Sequence, residues 1–326
     1  MKKLVVKLAA LSVCFTFTQA LFAQAPANGH PVIRASTLWW QDSDPKVHRT
    51  SMDSQITSEV FGPGVLSSGE IYRGCFSPDG RSFYFFKKVT PGQEDYRIFV
   101  SRQINGKWSM PKRVKLGGDF SDTYPAISKD GQRLVFASDR PVPGDTGKKP
   151  NAHLWYVDRK GDGWGEPVFM ATASKLGHYH SWVEFGFDDG VYFRRTTPDW
   201  RANETLVTRW NGKEYATPEA VTVIERWKTW RTDVRIVGGS FSPDGNVLFF
   251  DVATRNPQTG RGASDIWVSF KRGADWAEPK PLGPLVNTDG FDVFPFFSPD
   301  GETLYFVRDF AVFHRVPLKA ALASVR

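Results

Sequence analysis

The chain has 326 residues, with 42 lysines and arginines against 35 aspartates and glutamates, and a formal net charge of +7 at pH 7. This excess is modest and no nucleic-acid-binding motif accompanies it, so nucleic-acid binding is not inferred. No segment approaches the about 20 consecutive apolar residues that a transmembrane helix requires, so no membrane span is predicted.

The N-terminus has the features of a secretory signal peptide. Lys2, Lys3 and Lys7 precede an apolar run over residues 8–22, and the small-x-small sequence ending at Ala25 is typical of a signal-peptidase site. Residues 1–25 are therefore predicted to be removed on export to the periplasm or medium of a Gram-negative-type cell. Lipid attachment at Cys14 is the disfavoured alternative. Residues 26–50 are interpreted as an N-terminal extension and residues 51–326 as one domain.

A ten-residue pattern recurs through this domain. The sequence FSPDGETLYF at residues 297–306 is repeated at residues 241–250 and 76–85, with weaker copies at 127–136 and 187–193. Proline presets the first turn residue and Asp-Gly closes the turn, while the flanking aromatic and branched residues favour strands. Each copy therefore predicts a β-hairpin. The hairpin aspartates are Asp79, Asp130, Asp189, Asp244 and Asp300.

The spacing of the hairpins indicates the fold. Steps of 51, 59, 55 and 56 residues separate these aspartates, close to the roughly 40 to 50 residues of a four-stranded propeller blade. Third strands are predicted near residues 97–101, 153–157 and 264–269. Short fourth strands begin at the Trp-x-x-Pro motifs of Trp108, Trp164 and Trp276, because proline belongs on sheet edges. The predicted fold is an all-β propeller of five four-stranded blades, with six blades as the alternative.

The two ends of the domain predict how the ring closes. Residues 58–69 align with residues 279–290, so a fourth strand and its linker precede the first complete hairpin. The fifth hairpin is followed by only one further strand, near residues 311–316. The N-terminal strand is therefore expected to complete the last blade, which removes free sheet edges. Cys75 is the only cysteine after the signal peptide, so no internal disulfide contributes.

These motifs carry a family resemblance. The Phe-Ser-Pro-Asp-Gly hairpins, the strand around Trp267 and the linker at residues 286–295 resemble the WD40-like β-propeller repeat of TolB-type envelope proteins. The resemblance covers about residues 56–317. It implies a propeller that is exported and acts as an interaction module, but one propeller scaffold hosts many activities.

In a propeller, the first strand of each blade lines the central channel, and the loops that enter it form one face. That face is predicted to be a funnel lined by arginines with interspersed carboxylates and two histidines. Arginine matches carboxylate or phosphate groups, which favours an anionic ligand; solvated or salt-bridged rim charges are the open alternative. The candidate ligand-binding residues are Arg73, Arg140, His178, His180, Arg194, Arg235 and Arg308.

Blade three departs most from the repeat. Strand alternation would place His178, His180, Trp182 and Glu184 on one side, where they could bind a metal, act as acid and base, or line the channel. The ligand set is incomplete, so a polar lining is favoured and no metal or cofactor is predicted. Equivalent carboxylates recur before the blade-two and blade-five strands, which favours a structural role for them. The catalytic candidates for an enzyme are His180, Glu184, Asp122 and Asp292.

Two functions remain open. The favoured one is a non-catalytic, monomeric binding module of the cell envelope, with a protein or an acidic glycan as its ligand. The alternative is a secreted hydrolase or lyase that acts on an acidic polysaccharide. The enzyme hypothesis requires His180 and Glu184 to converge with a second carboxylate in one pocket.

Overall fold

The computed structural model describes residues 57–67, 69–142, 152–199, 202–228, 235–255 and 262–325. The predicted signal peptide and N-terminal extension, residues 1–50, lie outside the described residues. Within the described ranges the strands form five antiparallel sheets, each ordered outward from an inner strand. The chain is a five-bladed β-propeller, and the five-blade prediction is confirmed.

Each blade is built from strands that are consecutive in sequence, except the last. Blade one contains β2 (Ile71–Phe76), β3 (Ser82–Lys88), β4 (Tyr96–Ile104), β5 (Lys107–Trp108) and β6 (Lys112–Arg113). Blade two contains β7 (Asp122–Ile127), β8 (Arg133–Ser138), β9 (His153–Lys160), β10 (Gly163–Trp164) and β11 (Val168–Phe169). Blade three contains β12 (Tyr179–Phe185), β13 (Val191–Thr196), β14 (Asn203–Thr208) and β15 (Glu219–Ala220).

The last two blades and two short helices complete the fold. Blade four contains β16 (Arg235–Phe241), β17 (Val247–Arg255), β18 (Gly262–Arg272), β19 (Asp275–Trp276) and β20 (Lys280–Pro281). Blade five contains β21 (Asp292–Phe297), β22 (Thr303–Arg308), β23 (Val312–Pro317) and the N-terminal β1 (Glu59–Val60). Helix α1 (Thr222–Lys228) precedes blade four and α2 (Leu318–Leu322) follows β23. Trp227 of α1 is buried and stacks on Phe250, so it packs rather than presenting a surface.

The N-terminal strand closes the ring as predicted. Glu59 and Val60 pair with Arg315 and His314 of β23, and the Phe61 N–H donates to the Phe313 carbonyl at 2.7 Å. The Phe61 ring lies between blades five and one, 4.9 Å from Tyr305 and 5.5 Å from Trp108 between ring centroids. The first and last blades therefore share both a strand pair and an aromatic contact.

The repeated hairpin is stabilised by the same contacts in four blades. In blade four the Ser242 hydroxyl donates to Asp244 at 2.5 Å, and Asp244 accepts the Asn246 N–H at 3.0 Å. The turn glycine has φ 71°, which favours glycine. A Cβ on Gly301 would lie 3.4 Å from Pro243 of blade four, so the proline and glycine also mediate contact between neighbouring blades. Ser77, Ser128 and Ser298 bind Asp79, Asp130 and Asp300 in the same way.

Every inner strand contains an irregularity in its pairing with the second strand. The residues at the irregularity include Tyr124, Trp182 and Phe294, whose φ angles are 50°, 55° and 56°. A bulge inserts an extra residue and re-aims side chains. The expectation that side chains at positions 178 to 184 alternate strictly is therefore wrong, because the register shifts between Ser181 and Glu184.

Candidate functional site

The five inner strands surround the axis of the ring, but aromatic side chains fill its centre. Tyr124 of blade two stacks on Trp182 of blade three at 5.7 Å, and Trp182 contacts Phe294 of blade five at 4.8 Å, between ring centroids. All three side chains are buried. The three residues occupy equivalent positions on their strands, and the same position in blade four is occupied by Gly238. The bulges therefore aim these rings at the axis, and at this level the channel is closed to a ligand.

Arg73 of blade one crosses the axis to bind Glu184 of blade three. Glu184 Oε1 also accepts hydrogen bonds from the Ser240 hydroxyl at 2.9 Å and from the Phe241 N–H at 3.1 Å. Arg73 is buried, and burial lowers the pKa of its guanidinium to about 10. The Glu184 carboxylate is therefore held by three donors from two blades.

Asp251 of blade four belongs to the same buried region. Its carboxylate accepts the Phe294 N–H at 3.0 and 3.1 Å and interacts electrostatically with Arg73 and Arg194. Burial raises the pKa of Asp251 to about 7, and its hydrogen bond and the two arginines oppose that rise. Arg194 was predicted to line an open funnel, whereas the structure buries both Arg194 and Asp251.

His180 lies away from this cluster. Its Nδ1–H donates to the Ala152 carbonyl at 2.8 Å, and its Nε2 accepts the Lys175 N–H at 3.2 Å. The ring packs against His153 and Phe193. Burial lowers the pKa of His180 to about 3, so the imidazole is neutral at physiological pH. Both ring nitrogens are engaged with backbone groups, which positions the 175–180 turn.

Asp122 and Asp292 occupy two copies of one arrangement. Arg140 Nη2 donates to Asp122 Oδ1 at 2.9 Å and Arg140 Nη1 to the Leu116 carbonyl at 3.1 Å. In blade five, Arg308 Nε donates to Asp292 Oδ1 at 2.8 Å and Arg308 Nη2 to the Val286 carbonyl at 2.8 Å. In each case the arginine ties the entry of the inner strand to the preceding linker.

The remaining candidate residues are dispersed. His178 precedes β12, is half-buried, and its Nδ1 lies 3.2 Å from the Leu176 carbonyl oxygen. Arg194 is buried with its guanidinium carbon 5.8 Å from the centre of the Trp182 ring. Arg235 begins β16, and its side chain lies outside the described residues. Among the candidate arginines with described side chains, Arg308 is the most exposed, at 22%.

A cleft opens on the face formed by the loops that enter the inner strands. It has a volume of about 30 Å³ and lies among blades one, two and three. Two acidic residues and four residues that carry a hydroxyl group line it. Glu94 is exposed and Asp139 is half-buried. Burial raises the pKa of Tyr179, and the charges of Glu94 and Asp139 raise it further. The lining residues are Glu94, Tyr96, Ser121, Thr123, Asp139, Ala152 and Tyr179.

Tyr96 and Tyr179 were not predicted to line a cleft, because tyrosines on strands are typical core residues, and both are indeed buried. Both residues line the same cleft because blades one and three flank the start of blade two. Within the described ranges, no group of three or more histidine, cysteine, aspartate or glutamate side chains is placed to hold a metal ion. No helix in those ranges is long and apolar enough to cross a membrane.

No protein-family model and no curated protein matches the chain. Solved structures similar to it include a protein assigned as TolB from Agrobacterium tumefaciens, with 17% identity, a TM-score of 0.44, and coverage of 74% of this chain and 70% of that one. A periplasmic gluconolactonase of Pseudomonas aeruginosa has 15% identity, a TM-score of 0.41, and coverage of 72% and 64%. A gluconolactonase of Xanthomonas campestris has 13% identity, a TM-score of 0.46, and coverage of 76% and 71%. At this distance no activity is transferred to the chain.

Proposed function

We propose that this protein is an exported, TolB-like β-propeller that acts as a non-catalytic binding module of the cell envelope. The observation that carries the proposal is that the four catalytic candidates do not share an open pocket. His180 is bound to backbone groups, Glu184 to Arg73, and Asp122 and Asp292 to their own arginines. Each group is held by internal partners, so none is poised as a free acid or base.

The same internal pairing makes an acidic glycan the less favoured ligand. Arg73, Arg140 and Arg308 use their guanidinium groups on carboxylates of the protein itself. The acidic groups that line the cleft are more accessible than these arginines, since Glu94 is exposed and Asp139 is half-buried. A cleft lined by two acidic residues and two tyrosines fits a cationic side chain. The favoured ligand is therefore a protein segment that inserts a lysine or arginine.

The competing hypothesis is a secreted enzyme that acts on an acidic polysaccharide. A hydrolase of this kind needs two carboxyl groups on either side of the scissile bond. Glu184 and Asp251 are the two carboxyl groups near Arg73. However, Asp251 is fully buried and the side chain of Glu184 is only 13% exposed, so the pair gives no access to a polysaccharide.

The test compares ligand classes on the exported protein. Calorimetry with short peptides that carry one central lysine is expected to show binding that is lost when the lysine is acetylated, because acetylation removes the charge. Binding should also be lost in Glu94→Gln/Asp139→Asn and retained in Asp289→Asn, which removes an exposed charge from the same face. N-terminal sequencing of the exported protein checks cleavage after Ala25.

Acidic oligosaccharides form the second arm of this experiment. Uronate oligomers are expected to give neither heat of binding nor shorter products. Release of shortened or unsaturated products would replace the binding hypothesis with the enzyme hypothesis. Tight binding of the oligomers without cleavage would retain a binding module but exchange the protein ligand for a glycan.

A further inference from the structure

The outer edge of blade one concentrates positive charge. Residues 102–116 contain five lysines and arginines and no acidic residue. Without Lys2, Lys3 and Lys7 the chain has 39 basic against 35 acidic residues, a net charge of +4. The segment therefore carries more positive charge than the net excess of the whole predicted mature chain. Its basic residues are Arg102, Lys107, Lys112, Arg113 and Lys115.

Strand pairing brings most of these residues to one side of the blade. Ile104 pairs with Lys107, and Val100 pairs with Lys112. Cross-strand partners share a face, as do residues two apart on a strand, so Arg102, Ile104, Lys107 and Lys112 lie on the same side. We define the blade-one rim as these four residues together with Met110 and Lys115, which are exposed and lie within three residues of Lys112 in sequence.

The rim combines exposed cations with exposed apolar side chains. Its lysines and Arg102 are exposed and form no ion pair with another described residue. Arg113 differs, because it binds Asp119 at 2.8 Å. Met110 and Ile104 are 68% and 61% exposed, the highest values among the large hydrophobic side chains of the described ranges. The two apolar groups therefore project into solvent between unneutralised cations.

Comparison between blades shows that the scaffold does not require this composition. Met110 lies between Trp108 and Pro111, at the position that Glu166 and Glu278 hold in blades two and four. Fold requirements recur in every blade, whereas a site occurs once. The replacement of a charged residue by an exposed apolar one therefore indicates a role specific to blade one.

Ile104 shows the same departure from the repeat. It begins the turn to the fourth strand, where blades two and four carry Lys160 and Arg272. Lys107 of the same turn replaces Asp275 of blade four. Apolar residues thus replace charged ones at two positions, while a cation replaces an anion at a third.

We propose that the blade-one rim docks the protein onto an anionic lipid bilayer. Lysines near a surface of anionic headgroups are attracted without a fixed geometry, since each is a flexible point charge. Exposed isoleucine and methionine side chains add affinity by entering the boundary between headgroups and acyl chains. The two kinds of residue lie side by side on the rim, as interfacial binding requires.

Other anionic partners fit the rim less well. Protein interfaces are depleted of lysine and enriched in aromatic residues and arginine, whereas the rim has three lysines and no aromatic side chain. Single-stranded nucleic acids stack on exposed aromatic rings, and Trp108 in this segment is turned toward Phe61. A hydrated glycan offers no apolar layer for Ile104 and Met110. A bilayer satisfies both the charge and the apolar groups.

The experiment is vesicle co-sedimentation of the exported protein. Vesicles of equal parts phosphatidylcholine and phosphatidylglycerol are compared with pure phosphatidylcholine vesicles at low and high salt. Binding is expected only to the anionic vesicles and is expected to weaken with salt. Lys107→Gln/Lys112→Gln/Lys115→Gln should weaken it by about 100-fold, at about fivefold for each lysine. The control Lys160→Gln/Lys213→Gln/Lys319→Gln has the same net charge and exposed sites, and should bind like the unaltered protein.

The apolar groups separate a bilayer from a soluble polyanion. Ile104→Ser/Met110→Ser should weaken vesicle binding while leaving binding to polyglutamate unchanged. Failure of the unaltered protein to bind anionic vesicles would overturn the proposal. Equal losses of vesicle binding in the two lysine variants would also overturn it. An Ile104→Ser/Met110→Ser variant that binds vesicles normally would do the same, and would point to an acidic macromolecule as the partner.

Discussion

A Cβ atom on Gly238 would lie 1.9 Å from Nε1 of Trp182, so the glycine of blade four makes room for the indole of blade three. The other blades place Arg73, Tyr124 and Phe294 at this position of the inner strand. One of the five inner strands must therefore lack a side chain here. The filled axis depends on this pairing of the largest side chain with the smallest residue.

Gly238→Ala tests this packing. The added methyl group should destabilise the protein by about 2 kcal/mol, because overpacking displaces the buried indole. Urea unfolding measures the change, and Gly163→Ala is the control, since a Cβ there would be 3.8 Å from its nearest neighbour. In a protein that already carries Trp182→Leu, Gly238→Ala should lower the free energy of unfolding by less than it does in the unaltered protein. Equal stability of Gly238→Ala and Gly163→Ala would show that the ring centre is loosely packed.

Closure of the ring gives a second prediction. Phe61→Ala should destabilise the protein by about 4 kcal/mol, because the ring is 3% exposed and its loss leaves a cavity between the first and last blades. Val60→Ala, one residue away and 42% exposed, should cost no more than about 0.5 kcal/mol. Urea unfolding of both variants measures the difference. Similar costs for both would contradict closure through an aromatic contact.

The architecture was predictable because its signals are local and repeated. The Phe-Ser-Pro-Asp-Gly turns carry their own side-chain to backbone bonds, as between the Asp244 carboxylate and the Asn246 N–H. The closing strand was visible because residues 58–69 repeat a linker found elsewhere in the chain. The hairpin inference uses sequence neighbours, whose geometry is set by turn chemistry, and the closure inference uses the repetition of one linker sequence.

The site was harder to predict because its contacts join distant blades. Arg73 and Glu184 are 111 residues apart, and nothing in either local pattern indicates that they pair. The bulge between Ser181 and Glu184 also changes which side each residue faces, and hydrophobic periodicity does not encode it. Arginines were therefore expected on an open funnel, whereas several of them neutralise buried carboxylates.

The Asp122–Arg140 pair should behave differently from a surface pair. Asp122→Ala is expected to cost about 3 kcal/mol, because it leaves the guanidinium of Arg140 buried without its carboxylate. Glu59→Ala breaks the exposed pair with Arg315 and should cost at most about 0.5 kcal/mol. Thermal and urea unfolding measure both variants. A small effect of Asp122→Ala would mean that water reaches Arg140 once the carboxylate is removed.

Asp251 gives a pH dependence with a defined sign. Burial raises the pKa of its carboxyl group from 3.8 to about 7, so between these values the folded state holds a proton that the unfolded state has released. The contribution of Asp251 to the free energy of unfolding is therefore most favourable below pH 4 and declines as the pH rises through about 7. Two histidines oppose this trend, because the pKa values of His180 and His314 are lowered to about 3 and about 4. Their contribution increases as the pH rises toward 6.5.

Asp251→Asn isolates the carboxyl contribution. The amide of the variant does not ionise, and its oxygen still accepts the Phe294 N–H. The ionisation that destabilises the unaltered protein at Asp251 therefore has no counterpart in the variant. The difference in unfolding free energy, variant minus unaltered protein, is expected to increase from about pH 4 and to level off above about pH 7, since both histidines are present in each protein and cancel. Urea unfolding at pH 5, 6, 7 and 8 measures this difference. A constant difference across that range would mean that Asp251 keeps an ordinary pKa, and that Arg73 and Arg194 offset the whole effect of its burial.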